Sequence, residues 1–444
     1  MTKLASYREI LAISLPIMIG SAGQNIITLT DGIFMGRVGE TELGAIGFVG
    51  IFYLIIAAIG YGFSKGGQIM IARRMGEGKP GEVGVTAYSM FALELLLAIF
   101  FFCFMHFGAR IFFNFFLDDK EILETCLEYL DFRKWGIFFS YVGVGIVALY
   151  TGVARTKVII YNTILLGILN IILNYGLIFG KWGLPEMGIG GAGLASTVAE
   201  MVAFVAFLGY VLLDKKAVQY NLFRMPKADF ALIRRMARIG LPVVAQFIVG
   251  MGSWFIFFSL VENLGQTSLA AANLVRMVYL VLSIPCWGFA SGINTLVSNY
   301  LGQNRADLVM PVVWKTAGLS LAITMAMTIL VLIFAEPVLL IGVPDNPPVI
   351  EVAKPTLPIL AIIMFLFSTG GIYFNGIVGT GATMFGLQLQ TVCVVLYLIY
   401  IYVIVRLWAG NLQLAWTAEI LYWVLMFVGT WWYLKSEKWV GIRV

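Results

Sequence analysis

The sequence predicts an all-α integral membrane protein of twelve transmembrane helices in two six-helix lobes. Three observations carry that expectation. Of the 444 residues, 60% are apolar and 12% charged, and the mean hydropathy is +0.93. Surface-to-volume scaling leaves a water-soluble domain of this size nowhere to hide so much apolar surface. Apolar runs bounded by charges or glycine clusters recur twelve times, and twelve spans of about 20 residues absorb roughly 240 apolar residues. Finally, the chain matches itself when displaced by 226 positions.

Taken in order, the spans fall near 10–36, 44–72, 86–114, 125–150, 158–180, 190–213, 236–262, 269–300, 312–341, 352–378, 385–408 and 413–434. The first follows Lys3 and Arg8 as a signal peptide would, but no small-residue cleavage site closes it, so it reads as an uncleaved span. Spans longer than 25 residues must tilt or project beyond the hydrocarbon. With the N-terminus inside, 19 of the 29 Lys and Arg fall on inside segments and eight outside, while Lys65 and Arg276 lie within spans. That bias places both termini in the cytoplasm of a bacterial inner membrane. The longest polar stretch, Asp214–Arg238, separates the halves. The expected division is an N-terminal lobe at 1–213, a cytoplasmic linker at 214–235 and a C-terminal lobe at 236–444.

The displacement by 226 residues produces 14 identities over positions 13–79. Pro16 meets Pro242, Gly39 meets Gly265, Gly62 meets Gly288, Gly66 meets Gly292 and Gly76 meets Gly302. At an offset of 227, Gly152 meets Gly379 and Thr156 meets Thr383. Apolar composition alone rarely yields the glycine, proline and threonine matches. Each copy holds six spans, an even number, so both share one orientation. Parallel repeats of this kind flank a central cavity in transporters that rock between inward and outward states.

Composition also excludes classes of function. One histidine, His106, rules out a multi-histidine metal site. The four cysteines stand singly in apolar runs with no CxxC pair, as small buried hydrophobes do. No Walker A pattern occurs, so ATP hydrolysis is not expected. An intramembrane enzyme would need a clustered nucleophile and base, and none is visible. The chain is read as no enzyme. The net charge of +5 fits basic loops beside anionic lipid and implies no nucleic-acid partner.

Three stretches resemble the multidrug and toxic compound extrusion (MATE) family. They are Leu15-Pro16 with Thr30-Asp31-Gly32-Ile33-Phe34-Met35-Gly36-Arg37, then Gly288–Arg305 with its weaker copy Gly62–Lys79, and Asn170-Ile-Ile-Leu-Asn174 followed by Leu184-Pro185-Glu186 and Gly190-Gly191-Ala192-Gly193. The resemblance spans essentially the whole chain and lies close to the NorM-type branch. It implies a V-shaped antiporter that expels cationic, amphipathic compounds in exchange for H+ or Na+. It carries Asp31 over as the first-helix acid, and Asn170 with Asn174 as the fifth-helix polar pair. The acids of the NorM branch on helices seven and ten are missing: their places hold Gly250 and, approximately, Phe367.

Asp31 lies about 20 residues into the first span. An ionised acid there costs several kcal/mol unless paired or hydrated, and proton uptake removes that cost. It is therefore the candidate coupling group, with a fixed structural acid as the alternative. It is also the Na+ ligand if the coupling ion is sodium. Asn170 and Asn174, spaced i,i+4, share a helix face and either ligate with Asp31 or hold helices together. Lys65 is read as a snorkelling lysine or a cavity charge; at 1.5 Å per residue it lies roughly 15 Å in depth from Asp31. Gln24, Lys65, Gln68, Gln246, Arg276 and Asn294 are candidate cavity residues, with helix joining as the alternative for the amides. Arg276 and Glu262 are candidates for an interhelical pair, and His106 for an interfacial packing residue. Glu94, Glu200 and Glu419 sit in or near spans with no evident partner.

The leading reading is a secondary antiporter, working as a monomer among membrane lipids, with small-molecule substrates and no cofactor beyond H+ or Na+. The alternative is a flippase for a lipid-linked oligosaccharide, for which two basic residues within spans are thin support.

Overall fold

Helix formation begins at Tyr7 and rarely stops. The structure, a computed structural model, describes residues 3–224, 227–342, 347–408 and 410–442; within these, the side chains of 24–26, 28, 29, 341 and 342 are not described. The helices are α1 (Tyr7–Val38), α2 (Glu40–Gly76), α3 (Val83–Cys103), α4 (Ala109–Phe116), α5 (Lys120–Gly152), α6 (Lys157–Ile178), α7 (Gly188–Leu213), α8 (Phe230–Val261), α9 (Gln266–Gly302), α10 (Val309–Ile333), α11 (Ala335–Gly342), α12 (Pro347–Ala353), α13 (Leu357–Thr380), α14 (Thr383–Tyr402) and α15 (Leu412–Lys435). No strand occurs among the described residues. Eleven spans among them are long and apolar enough to cross a bilayer, and α1, of 32 residues, is a further long helix.

Three expected spans are interrupted, and the eleventh closes on a π-helical turn, Val403–Leu407. The third passes through a π-helical turn at Phe104–Gly108 before continuing as α4. The ninth ends at Ile333 rather than near 341. Pro337 explains the break, because in a continuous helix its ring would strike the carbonyl of residue 333. The tenth is entered through α12 and a 3-10 turn, Lys354–Thr356, where Pro355 and Pro358 favour a fresh start.

The chain forms two compact units, one comprising Met1–Met18 with Pro242–Val444, the other Ile19–Leu241. This differs from lobes cut at the linker. The opening of α1 packs with the C-terminal helices, and the opening of α8 packs with the N-terminal ones. Small residues make both contacts close. A Cβ on Gly240 would stand 2.8 Å from the Phe63 Cα, and one on Gly66 would stand 2.7 Å from the Met236 carbonyl oxygen. In the other unit a Cβ on Gly288 would stand 2.8 Å from the Ser14 carbonyl oxygen, and Gly292 faces the Ser14 side chain. Ser14 and Gly240 are equivalent at the 226-residue offset. The same contact is therefore made once in each unit.

A second contact repeats likewise. A Cβ on Gly152 would fall 2.9 Å from the Gln68 carbonyl oxygen, and one on Gly379 would fall 2.9 Å from that of Asn294. The predicted linker is docked on the N-terminal unit. Asn221 donates to the Gly81 carbonyl at 3.0 Å, Tyr88 donates to that of Leu222 at 3.0 Å, and the Asp229 amide donates to the Ser89 hydroxyl at 2.9 Å. One apolar cluster centres on Phe52, Phe113, Tyr129 and Tyr141 in this unit. Two others, around Phe289 with Tyr300 and around Tyr397 with Trp416, belong to the C-terminal unit.

Candidate functional site

The glycines of the motif at 190–193 bring three helices within reach of one another. A Cβ on Gly190 would meet Glu128 of α5 at 2.9 Å, one on Gly191 the Leu177 carbonyl of α6 at 2.7 Å, and one on Gly193 the Tyr129 carbonyl of α5 at 2.5 Å. Only residues without side chains permit such approaches. Helix α7 is thereby pressed against α5 and α6, and one turn further on it presents Ser196, Thr197 and Glu200. Helix α1 approaches α6 in the same way: a Cβ on Gly20 would stand 3.3 Å from Ile159.

This packing assembles a hydrogen-bonded row. Asn174 Nδ2 donates to Asp31 Oδ1 at 2.6 Å and to Asn170 Oδ1 at 3.0 Å, and Asn170 Nδ2 donates to the Ser196 hydroxyl at 3.0 Å. Both asparagines are buried, and Asp31 is half-buried. Asn174 Oδ1 is buried without a partner, so the row has one acceptor in reserve. The i,i+4 spacing read from sequence is what lets the two amides bond each other along one face.

Beside the row lies an ion pair that the sequence reading missed. Arg133 of α5 grips Glu200 of α7 through two bonds, at 2.7 and 2.6 Å, and its guanidinium lies 3.9 Å from the centroid of the Tyr53 ring. Bidentate geometry with ring stacking suits arginine and not lysine. Gly136 makes the room, since a Cβ there would stand 2.8 Å from Glu200 Oε2. Arg133 lies well inside α5 and is buried. Its charge acts on Asp31. The available signal was the presence of Arg133 and Glu200 within predicted spans, where isolated charges are costly.

The other candidates separate. Lys65 is buried in α2, at 4% exposure, and its ammonium stands 5.8 Å from the Tyr61 ring centroid. The snorkelling reading fails, because the charge is not carried out to water. Gln68 is buried one turn away. Glu94 accepts from the Ser64 hydroxyl at 2.7 Å. In the C-terminal unit, Gln246 Nε2 donates to the Thr383 carbonyl at 2.9 Å, and Gln390 donates to the Gln246 carbonyl at 3.2 Å. Asn294 donates to the Ala290 carbonyl at 2.9 Å and to Asn375 at 3.2 Å. These amides join helices, the alternative raised from sequence. Arg276 lies against the Phe258 ring at 5.2 Å; no ion pair joins it to Glu262 among the described residues. The Gln24 side chain lies outside the described residues. His106 stacks on Phe102 at 5.8 Å. Among the described residues no group of three or more His, Cys, Asp or Glu is placed to hold a metal ion.

The comparisons with known proteins agree with this architecture. The MatE family profile matches residues 16–176 and 242–403, one copy for each repeat. A probable multidrug resistance protein NorM from Thermotoga maritima is 24% identical over 382 residues, 85% of this chain and 81% of the relative. One from Pasteurella multocida is 24% identical over 366 residues, 81% and 77% of the two chains. An outward-facing multidrug resistance MATE transporter of the MOP superfamily superposes with a TM-score of 0.90 at 20% identity, covering 98% of this chain and 97% of that one. A MOP superfamily transporter from Pyrococcus furiosus, whose binding pocket is described as having reverse polarity, superposes with a TM-score of 0.89 at 20% identity over 98% and 97%. At such identities the superpositions speak for the fold.

Proposed function

The chain belongs to the MATE family, and on that premise we propose that it is a secondary antiporter exporting cationic, amphipathic small molecules in exchange for an entering H+ or Na+. The multidrug efflux assignment follows its NorM relatives. The observation that carries the coupling role is the row Asp31–Asn174–Asn170–Ser196 with Arg133–Glu200 alongside. An acid that gains a proton or a cation there becomes nearly neutral, and one that loses it needs a donor or a counter-charge. Asn174 is such a donor and Arg133 such a charge. A difference of a few kcal/mol between the two forms is enough to exchange the populations of two helix arrangements. In this reading the transporter works as a monomer in the cell membrane, and the lysine and arginine bias supports cytoplasmic termini.

Asp31→Asn is the deciding variant, since the amide is nearly isosteric and imitates the neutral acid. It is expected to fold with parent-like thermal stability and to bind ethidium. It should fail to expel ethidium against a gradient from proteoliposomes under an imposed pH or Na+ gradient. Uphill efflux at the parent rate would remove Asp31 from the mechanism, and loss of folding would make it a structural acid.

A further inference from the structure

The opening of α8 carries three arginines that the protein itself does not neutralise. Arg234, Arg235 and Arg238 are exposed and share one side of the helix, as residues three and four apart do. Among the described residues none of them enters an ion pair. The nearest acid along the chain, Asp229, accepts from the Ala231 amide at 2.7 Å and so caps the helix. Arg234 and Arg238 stand i,i+4, where like charges destabilise a helix. The face is nonetheless held still. On the opposite side, Gly240 packs on Phe63 of α2, the Met236 carbonyl packs on Gly66, and the Asp229 amide donates to the Ser89 hydroxyl of α3 at 2.9 Å.

The internal repeat separates what the scaffold needs from what it does not. At the 226-residue offset the corresponding positions of α1 are Arg8, Glu9 and Ala12, and Glu9 accepts from the Ser6 hydroxyl at 2.9 Å. The same opening turns are thus built in the other copy without an arginine cluster. Three unpaired arginines on α8 therefore point to a partner outside the protein.

Their depth and their borders say which partner. After Arg238 the next charge is Glu262, and the 23 residues between them are uncharged. At 1.5 Å per residue they make about 35 Å of helix, enough for a hydrocarbon layer of about 30 Å. That leaves Arg238 at the edge of the hydrocarbon and Arg234 and Arg235 one turn beyond it, at the level of lipid phosphates. Phe230 and Leu241, 79% and 60% exposed, border the arginines on the same side of the helix. Guanidinium forks match phosphate oxygens two at a time, and the apolar borders suit acyl chains, for which a soluble phosphate has no use. We propose that the exposed face of α8 from Phe230 to Leu241 binds the phosphate headgroup of an anionic phospholipid in the cytoplasmic leaflet. The leaflet rests on the cytoplasmic placement proposed above; the lipid class rests on the face itself.

Native mass spectrometry of the full chain released from detergent micelles, with dioleoyl phosphatidylglycerol or dioleoyl phosphatidylcholine added, reads this site without transport. The parent should retain phosphatidylglycerol in preference to phosphatidylcholine. Arg234→Gln, Arg235→Gln and Arg238→Gln together should weaken phosphatidylglycerol binding on the order of a hundredfold and leave phosphatidylcholine unchanged. Parent-like binding by that triple variant overturns the proposal. Arg8→Gln, Lys435→Gln and Lys438→Gln together remove as much charge elsewhere and should keep the preference; an equal loss there would make the attraction a general effect of net charge and overturn it as well. Should the first triple variant fail to fold, Arg235→Gln alone must weaken phosphatidylglycerol severalfold, and an unchanged affinity overturns the proposal equally. Inorganic phosphate that raises the parent's melting temperature as far as phosphatidylglycerol does would assign the face to a soluble phosphate and overturn the lipid. No substrate or ion gradient enters these measurements, so their failure leaves the antiport reading standing, and the reverse.

Discussion

At the scale of single residues, legibility depended on whether a side chain's role is set by its own helix. Asp31, Asn170 and Asn174 could be picked out because an acid in an apolar span is costly and an i,i+4 amide pair shares a face. The ion pair beside them could not, because Arg133 and Glu200 are 67 positions apart and meet only after α5 and α7 pack. That pair makes a prediction. Glu200→Gln leaves a buried arginine without its counter-charge and should cost about 3–5 kcal/mol, whereas Arg133→Gln with Glu200→Gln removes both charges and should regain most of it. Thermal unfolding in detergent micelles measures both. A double variant less stable than Glu200→Gln would show that the arginine is held mainly by the Tyr53 ring.

At the scale of elements, glycine spacing was visible while its purpose was not. A glycine in a membrane helix marks close approach, but the partner is named only by the fold. Gly193 and Gly379 give one case in each unit: the added Cβ would fall 2.5 Å from the Tyr129 carbonyl and 2.9 Å from the Asn294 Cα. Gly193→Val and Gly379→Val should each lose about 1–3 kcal/mol or more through overpacking, whereas Gly209→Val, where nothing lies within 4 Å, should be near neutral. The yield of monodisperse protein and its melting temperature report the difference. The turn after α7 offers a pH test outside the spans. Asp214 caps the 3-10 turn Lys215–Tyr220 through the Lys216 amide at 3.1 Å, accepts from the Tyr150 hydroxyl at 3.1 Å and pairs with Arg155. Burial opposes its charge, but the Arg155 guanidinium and these donors hold its carboxyl below the usual value of 3.8. A lowered folded value means that its stabilisation is complete above the unfolded pKa and fades as pH falls through the folded one. Asp214→Asn should therefore be less stable than the parent at neutral pH, with the gap closing in strong acid; a gap independent of pH would refute the assignment.

At the scale of the molecule, the internal repeat revealed the two six-helix copies, because glycines at one offset keep their contacts in both. It could not reveal that the openings of α1 and α8 pack with the other copy's helices, since span boundaries follow hydropathy and packing partners do not. Pro16 and Pro242 stand near these transfers and lack the N–H that would bond four residues back, so each helix is weakest near the point where it changes unit. The antiport proposed above takes its work from an ion gradient, and the size of that work is predictable. If one H+ enters for each monovalent cation that leaves, no net charge crosses, and the membrane potential contributes nothing. Each pH unit then contributes about 1.4 kcal/mol, a tenfold gradient. For a neutral substrate the same proton adds about 2.3 kcal/mol per 100 mV. Proteoliposomes separate the cases. A pH gradient alone should drive efflux of a monovalent cationic dye, and a valinomycin-clamped potential without a pH gradient should not. The potential should drive efflux of a neutral dye. Potential-driven efflux of the cationic dye would mean that more than one proton enters per cycle. Efflux that follows a Na+ gradient at equal pH would instead give the coupling to sodium.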